Sequence, residues 1–259
     1  MSRKILFAIG FLLLFIPLGL RILDSHHQKK VVSTYWKEIE TVTENEIDNC
    51  LEEAREYNRK LFHRLEVSET SYEHLLNLAG DGIMGNIEIP RISLKLPIYH
   101  GTEEEVLSKG AGHLKGSSLP VGGKNVHSVL AGHSGVPNMQ LFTRLDELEK
   151  EDVFFIRVCN EVLIYQVCEI KVVRPEAVEV TEIQPERDLI SLITCTPYGL
   201  NTHRLVVTGE RVEKQNMEEI SVEEGVNMSK QDLLLVILLL FFLLVAFLKW
   251  IFEKKSTVF

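Results

Sequence analysis

Residues 189–212 read LISLITCTPYGLNTHRLVVTGERV, two apolar runs joined by a stretch that contains Pro and Gly. Short apolar runs bounded by turn residues are typical of β-strands. The pattern predicts one strand over Leu189–Thr196 and another over Arg204–Val212. If the residues between them form a loop, the two strands pair, and Arg204 comes near Cys195 at the end of the first strand.

Similar runs occur earlier in the chain, broken by Gly, Pro and Asn. They predict six more strands, at Ile87–Ile89, Leu94–Tyr99, Gly112–Lys115, Val126–Gly132, Val153–Cys159 and Val162–Val173. Eight short strands connected mostly by loops favour an all-β domain that is closed, or nearly closed, into a barrel. Two short helices are expected between the strands, at Glu103–Leu107 and at Met139–Leu148, where leucines recur on one helical face.

A helical segment precedes the strands. Over residues 31–65, apolar side chains recur every three to five positions, and neither Gly nor Pro interrupts them. This spacing predicts an amphipathic hairpin or one long helix, whose apolar stripe must pack against another part of the protein. Residues 66–86 are polar and end in a Gly-rich stretch, and we expect them to form a loop.

Both ends of the chain are strongly apolar. Residues 5–20 read ILFAIGFLLLFIPLGL, and residues 233–248 read LLLVILLLFFLLVAFL. As helices that rise about 1.5 Å per residue and extend past an Arg or Lys that reaches the interface, they approach the ~30 Å core of a bilayer. Basic residues precede the first run and follow the second. We therefore expect both termini to be cytoplasmic and the region between the spans to be extracellular.

These features divide the chain into six parts. We expect an uncleaved N-terminal anchor over 1–23, a helical extension and lid over 24–80, the barrel over 81–212, a linker over 213–230, a second membrane span over 231–252 and a cytoplasmic tail over 253–259.

The composition excludes some classes of function. The 259 residues include 28 Lys and Arg against 37 Asp and Glu, for a net charge of −9. Nucleic-acid binding instead needs a basic surface that displaces counterions. The four cysteines, Cys50, Cys159, Cys168 and Cys195, form no CxxC pair, and the histidines form no HxH or HExxH motif. We therefore expect free thiols and no metal site.

Three residues could carry out nucleophilic catalysis. Cys195 ends an apolar strand before Thr-Pro-Tyr-Gly, so its thiol should project into a surface loop. A cysteine nucleophile also needs an acid–base partner and donors for the developing oxyanion. His133, in LAGHSG, lies at another strand end between glycines, and Arg204 begins the strand that follows Cys195. Taken alone, each of these three residues is also compatible with a purely structural role.

In combination, these motifs resemble those of the sortases. TCTPYGLNTHR at residues 194–204 is similar to the cysteine and arginine signature of that family, LAGHSG at 130–135 to its histidine segment, and residues 85–135 to the first half of the class C barrel. The resemblance covers about residues 80–212. It implies a closed eight-stranded sortase-type β-barrel.

The resemblance also implies a mechanism, that of a thiol-dependent transpeptidase that requires no metal or organic cofactor. Cys195 is expected to attack the Thr–Gly carbonyl of an LPxTG-like sorting signal and to form an acyl-thioester. His133 is expected to act as general acid and base, and Arg204 to stabilise the oxyanion and the bound substrate. A primary amine then resolves the thioester. By the same analogy Thr194 and Thr196 contact the substrate, and the residues between the sixth and seventh strands wall its groove.

Class C sortases polymerise pilins by joining a sorting-signal Thr to a pilin lysine. They typically carry a second membrane span and an N-terminal extension with a lid, and both features are expected in this chain. The usual Asp-Pro-aromatic lid motif is absent from residues 64–78, which read RLEVSETSYEHLLNL. Either Glu69 and Tyr72 supply a substitute acid and aromatic plug, or the lid is short and the site more open.

Other functions stay open at this point. A housekeeping sortase would anchor surface proteins to a peptidoglycan amine, and a non-catalytic, membrane-tethered barrel would only bind them. A papain-like hydrolase is disfavoured because no helix carries the cysteine. By resemblance the protein belongs on a Gram-positive-type bacterial surface.

Overall fold

The computed structural model describes residues 3–67, 72–137, 139–177 and 181–213, with isolated positions 237, 238, 241, 243 and 245. Eight strands form a closed barrel: β1 (Ile83–Ile89), β2 (Leu94–His100), β3 (Ala111–His113), β4 (Val126–Ala131), β5 (Val153–Val158), β6 (Glu161–Val173), β7 (Asp188–Thr196) and β8 (His203–Arg211). Their order around the barrel is β1-β2-β3-β4-β7-β8-β6-β5. The predicted closed barrel is confirmed, and each predicted strand is present.

Strand β1 begins at Ile83, earlier than the predicted Ile87, and it includes Gly85, where the sheet requires a glycine. Its register against β2 shifts between Ile83 and Gly85. A Cβ atom at Gly85 would collide with the backbone carbonyl of Arg157 on β5, so only glycine allows this close approach. A Gly-rich stretch that reads as a loop is therefore partly a strand.

Two strand pairs are parallel, and one of them positions the functional site. β2 pairs with β3 in parallel, and β4 pairs with β7 in parallel; the remaining neighbours are antiparallel. In the β4–β7 pair, Ala131 lies opposite Ile193. Both strands consequently end at the same rim of the barrel.

An N-terminal helical hairpin precedes the barrel. Helix α1 spans Arg3–Ile39 and helix α2 spans Glu44–Phe62. Thr43 caps α2 and forms a capping box with Glu46, which satisfies backbone donors at the start of the second helix and separates it from the first. Of the two predicted arrangements for residues 31–65, the hairpin is the one that forms.

Polar side chains of the hairpin bond to the barrel. The Trp36 indole donates to Asn86 Oδ1 at 2.7 Å. Asn58 donates to the carbonyl of Leu119 at 3.0 Å, and its own carbonyl oxygen accepts from the Leu119 N–H at 2.7 Å. Together with the buried apolar side chains of both helices, these bonds hold the hairpin against the barrel.

The predicted membrane spans are only partly covered by the described residues. The run over residues 5–20 lies within α1. The run over 233–248, like most of the linker and the tail, lies outside the described residues except at the isolated positions named above. Among the helices that the structure describes, none meets the combination of length and apolar character required to cross a membrane.

One of the two short helices differs from the prediction. Helix α3 forms at Glu104–Leu107, as expected. The expected helix over Met139–Leu148 is instead a series of turns with a short 3₁₀ segment at Leu145–Glu147. Leu141 has a left-handed φ of 35°, and the Phe142 N–H bonds at 3.0 Å to the carbonyl of His133 rather than within a helix. The leucine spacing that suggested a helix reflects burial of these side chains in the core.

Candidate active site

Cys195 is the second-to-last residue of β7, and Arg204 on β8 lies directly opposite Cys195. Directly opposed residues of antiparallel strands project from the same face with their Cβ atoms about 5 Å apart. The thiol is half-buried. Successive side chains of β7 point to opposite faces of the sheet. Ile190 and Leu192 point into the barrel core, so Cys195 lies on the other face. The predicted pairing of cysteine and arginine is therefore present.

His133 follows the end of β4, and two bonds tie its segment to β7. The Gly132 N–H donates to the carbonyl of Ile193 at 3.0 Å, and the Thr194 hydroxyl donates to the carbonyl of Gly132 at 2.7 Å. A Cβ atom at position 132 would lie 2.7 Å from the Phe142 ring, so glycine is required there. These contacts place the histidine beside the strand end that carries Cys195.

The imidazole of His133 has a carboxylate partner. Its Nε2 lies 3.1 Å from Oε2 of Glu104, the first residue of α3. Because a carboxylate only accepts, Nε2 carries the proton of this bond, and Nδ1 is the ring nitrogen left for proton exchange. The sequence displays Glu103, Glu104 and Glu105 in a row, and nothing local distinguishes the one that meets the histidine.

Three other histidines of the barrel region have structural roles. His113 is fully buried between the Tyr72 hydroxyl and the Ser118 carbonyl, and burial lowers its pKa to about 4. Burial also lowers the pKa of His127, which bonds to the Glu182 carbonyl. His100 Nε2 lies 2.7 Å from the carbonyl of Leu75. The bonds of these three histidines hold the fold together, whereas His203 lies opposite Thr196 and bonds to the Thr202 hydroxyl, so His133 and His203 are the barrel histidines near the strand end that carries Cys195.

The turn between β7 and β8 orients Arg204 and carries exposed apolar side chains. Arg204 Nη1 donates to the carbonyls of Asn201, at 3.3 Å, and His203, at 3.1 Å. Among the described residues, no bond of Nη2 or Nε is found, and Arg204 lies opposite Cys195 in the strand pair. Tyr198 is 61% exposed and Leu200 is 72% exposed. The turn thus presents both donors and an apolar surface at this rim.

The two threonines that flank Cys195 are not equivalent. Thr194 is 4% exposed and uses its hydroxyl to hold Gly132. This bond ties the end of β7 to the segment that carries His133, and the contact of Thr194 with a substrate stays a prediction. Thr196 is half-buried opposite His203, and its contact with a substrate stays a prediction.

The lid expected from Glu69 and Tyr72 stays a prediction, and the structure describes only Tyr72 of the two. Glu69 lies outside the described residues. Tyr72 is buried, with its hydroxyl 2.8 Å from His113 Nδ1 and its ring packed edge-on against His100. Its bonds and ring contacts are with the end of the β2–β3 pair and with α2, so Tyr72 fastens the segment after α2 to the barrel.

A cavity of about 670 Å³ lies beneath the segment between β6 and β7, against β4, β6 and β8. His127 and Thr208 in its wall both bond to the Ser191 hydroxyl, each at 2.8 Å. Ser191 precedes Cys195 by four residues and therefore faces the same side of β7. Ala177, Gln184 and Arg187 of this segment thus wall a depression next to the face that carries the thiol, and the role of residues 174–188 in binding substrate stays a prediction.

The fold and the site together define a cysteine-dependent sortase-type barrel. The sortase domain model matches residues 87–212. Sortase D of Bacillus subtilis is 34% identical over 131 residues, which cover 49% of this chain and 63% of that protein. Sortase A of Streptococcus agalactiae is 33% identical over 132 residues, 49% of this chain and 52% of that protein. The chain thus spans roughly half to three-fifths of the length of these curated relatives.

Solved structures of class C sortases match more of the chain. A Clostridium perfringens sortase C, crystallised with its C-terminal cell wall sorting motif, is 41% identical, covers 71% of this chain and 98% of its own, and gives a TM-score of 0.64. Streptococcus agalactiae sortase C1 is 39% identical, with coverages of 71% and 99% and a TM-score of 0.69. A Streptococcus pneumoniae sortase C, studied for catalysis and pilin substrate specificity, is 38% identical, with coverages of 71% and 97% and a TM-score of 0.65. The chain belongs to the sortase family, and its structural neighbours are class C sortases.

Proposed function

We propose that this protein is a membrane-anchored transpeptidase of the class C type. It cleaves LPxTG-like sorting signals between Thr and Gly and transfers the Thr carbonyl to the side-chain amine of a pilin lysine. The observation that carries the proposal is the convergence at one rim of three residues from three strand ends: Cys195 on β7, Arg204 opposite it on β8, and His133 in the segment after β4 that bonds to β7.

Acylation begins with attack of the Cys195 sulfur on the carbonyl carbon of the signal's Thr. The carbonyl oxygen becomes an oxyanion, and the unpaired N–H groups of Arg204 are the donors that stabilise it. A planar guanidinium can also hold the substrate backbone through two parallel bonds. His133 gives a proton to the glycine nitrogen as the peptide bond breaks, which leaves an acyl-thioester on Cys195.

Deacylation uses the same groups in reverse. The incoming lysine amine attacks the thioester carbonyl, His133 accepts the proton that the amine loses, and the Cys195 sulfur departs as a thiolate from the collapsing tetrahedral intermediate. Glu104, bonded to Nε2, keeps the Nδ1 edge of the imidazole available for both transfers and balances its positive charge. The product is an isopeptide bond, and the enzyme returns to its starting state.

The extent of the structural similarity supports the class C assignment. The curated sortases A and D align over 49% of this chain, about the size of the barrel. The class C structures align over 71%, so the similarity extends beyond the barrel, and the helical hairpin is the described element that can account for it. A housekeeping sortase remains the second candidate, since the curated relatives include sortase A.

We further propose that both termini are cytoplasmic and that the barrel lies outside the cell membrane. The two apolar runs and their basic flanks support this arrangement. Protease added to intact cells should digest the barrel and spare tags at both ends. Protection of the barrel in intact cells, with digestion only after lysis, would contradict the orientation.

To test the activity, the full chain is incubated in mild detergent with an LPxTG peptide, and the reaction is followed by mass spectrometry. We expect an acyl adduct on the Cys195 peptide in the wild type and none in Cys195→Ala, with Cys168→Ala as the matched control that keeps the adduct. Addition of a lysine-bearing pilin peptide should release a conjugate. Release by an oligoglycine or peptidoglycan-stem amine in preference to the lysine peptide would favour the housekeeping function, and no adduct at all would favour a binding protein.

A further inference from the structure

Two of the four cysteines meet at the junction of the helical hairpin and the barrel. Cys50 lies on α2, and Cys159 lies in the turn between β5 and β6. Both lie where α2 packs on the β5–β6 turn, since Arg55 of α2 pairs with Glu161 at the start of β6 at 2.7 Å, and the two side chains perturb each other's pKa. Both belong to the hydrophobic core, and Cys159 is only 1% exposed. The proposed reaction uses neither residue.

We propose that Cys50 and Cys159 are a site of oxidation, at which a disulfide bond joins α2 to the barrel. A disulfide needs two sulfurs that can approach within about 2 Å from suitably oriented Cβ atoms. Two buried thiols at one junction, on elements held together by a shared core and an ion pair, have a proximity that most cysteine pairs lack. The oxidant is a low-molecular-weight disulfide, of the kind that an extracellular domain encounters.

The surroundings give the two sulfurs different roles in this exchange. The Cys159 S–H and, secondarily, the Leu76 N–H donate to the Cys50 sulfur and lower the pKa of Cys50. The hydrogen bond with Cys50 and then burial raise the pKa of Cys159. Cys50 is therefore the thiolate that attacks first, since the thiolate is the nucleophile in thiol–disulfide exchange.

The exchange balances in two steps. The Cys50 thiolate attacks one sulfur of the small disulfide, which forms a mixed disulfide and expels one small thiol. Cys159 loses its proton, attacks the Cys50 sulfur and expels the second small thiol. Two electrons and two protons pass from the protein thiols to the oxidant, and the protein becomes two hydrogens lighter.

The neighbouring contacts favour this pair over other combinations. The Arg55–Glu161 ion pair, at 2.7 Å, holds α2 against the same β5–β6 turn. By contrast, Cys168 donates to the carbonyl of Thr208 on the opposite strand of its own sheet, and Cys195 lies at the active-site rim. The cross-link would therefore fix the base of the hairpin without engaging the catalytic thiol.

The test equilibrates the reduced full chain with mixtures of oxidised and reduced glutathione, in one arm as folded protein and in a second arm during refolding from denaturant. Free thiols are then alkylated under denaturing conditions, and the unreduced digest is mapped by mass spectrometry. We expect a Cys50–Cys159 peptide pair, with Cys168 alkylated. The pair should persist in Cys168→Ser and disappear in Cys50→Ser.

A second readout is the thermal unfolding midpoint, which should be several degrees higher for the oxidised protein, fall on reduction, and not change with redox state in Cys50→Ser. Alkylation of both Cys50 and Cys159 in both arms overturns the proposal, as does a linkage of Cys50 to Cys168 or Cys195 in its place. The inference relies on the proposed extracellular position of the barrel only as the source of the oxidant. Its peptide map is independent of transpeptidase activity, so the two proposals can fail separately.

Discussion

The bond from the Thr194 hydroxyl to the Gly132 carbonyl offers a direct test of how the barrel places its histidine. Replacing Thr194 with valine keeps the shape of a buried side chain and removes only the hydroxyl. The lost bond is worth about 1 kcal/mol, and a buried carbonyl left without its partner costs ~1–3 kcal/mol. Since Thr194 is buried and the bond is 2.7 Å long, we expect Thr194→Val to lower the free energy of unfolding by about 2 kcal/mol.

In a protein of this size, that loss corresponds to a thermal midpoint about 4–8 °C lower. The same substitution releases the segment that carries His133, so kcat/KM for an LPxTG peptide should fall by roughly tenfold or more, because small misplacement of a catalytic group is costly. Differential scanning fluorimetry and a peptide-cleavage assay measure the two effects. Thr194→Ser, which keeps the hydroxyl, should retain most of the activity.

The matched control is Thr196→Val, which changes a half-buried threonine on the other side of the nucleophile and should leave the thermal midpoint nearly unchanged. If Thr194→Val has the midpoint and the kcat/KM of the wild type, then the bond does not position His133. A fall in stability with unchanged kcat/KM would show that the bond is structural only.

Three further outcomes follow from the same geometry. Arg204→Lys should reduce kcat/KM by at least about 100-fold, as expected for loss of an oxyanion donor, and near-normal kinetics would show that the planar fork is dispensable. Glu104→Gln should lower kcat by about threefold, the scale of an exposed ion pair, whereas Glu105→Gln on the same helix should have no effect; equal kinetics for the two variants would remove Glu104 from the site. Burial holds the folded-state pKa of His113 at about 4, below its usual ~6.5 when unfolded. Stability from this group is therefore complete above pH ~6.5 and declines towards pH ~4, by an amount on the order of 3 kcal/mol. Chemical denaturation at several pH values should show a shallower decline for His113→Gln, and parallel curves would mean that another group controls it.

Much of the barrel could be predicted because its strands carry a local pattern. Alternating or continuous apolar residues between turn residues located each of the eight strands, and the pairing of β7 with β8 follows from the short turn between them. Cys195 and Arg204 could therefore be placed opposite each other from the sequence. The helix expected at Met139–Leu148 was wrong because spaced leucines report burial and do not specify which backbone hydrogen bonds form.

The amino-acid sequence alone determined the strands, the amphipathic helical character of residues 31–65 and the pairing of the strands that carry Cys195 and Arg204, since each depends on residues close together in the chain. Tertiary structure decided the rest. The approach of the His133 segment to Cys195 depends on a parallel pairing between β4 and β7, in which Val126 aligns with Asp188 and Ala131 with Ile193, far apart in sequence. Glu104, Thr194 and the Cys50–Cys159 contact depend on the same kind of long-range packing. No local periodicity encodes such pairings, because their free energy comes from contacts that exist only once the barrel has closed.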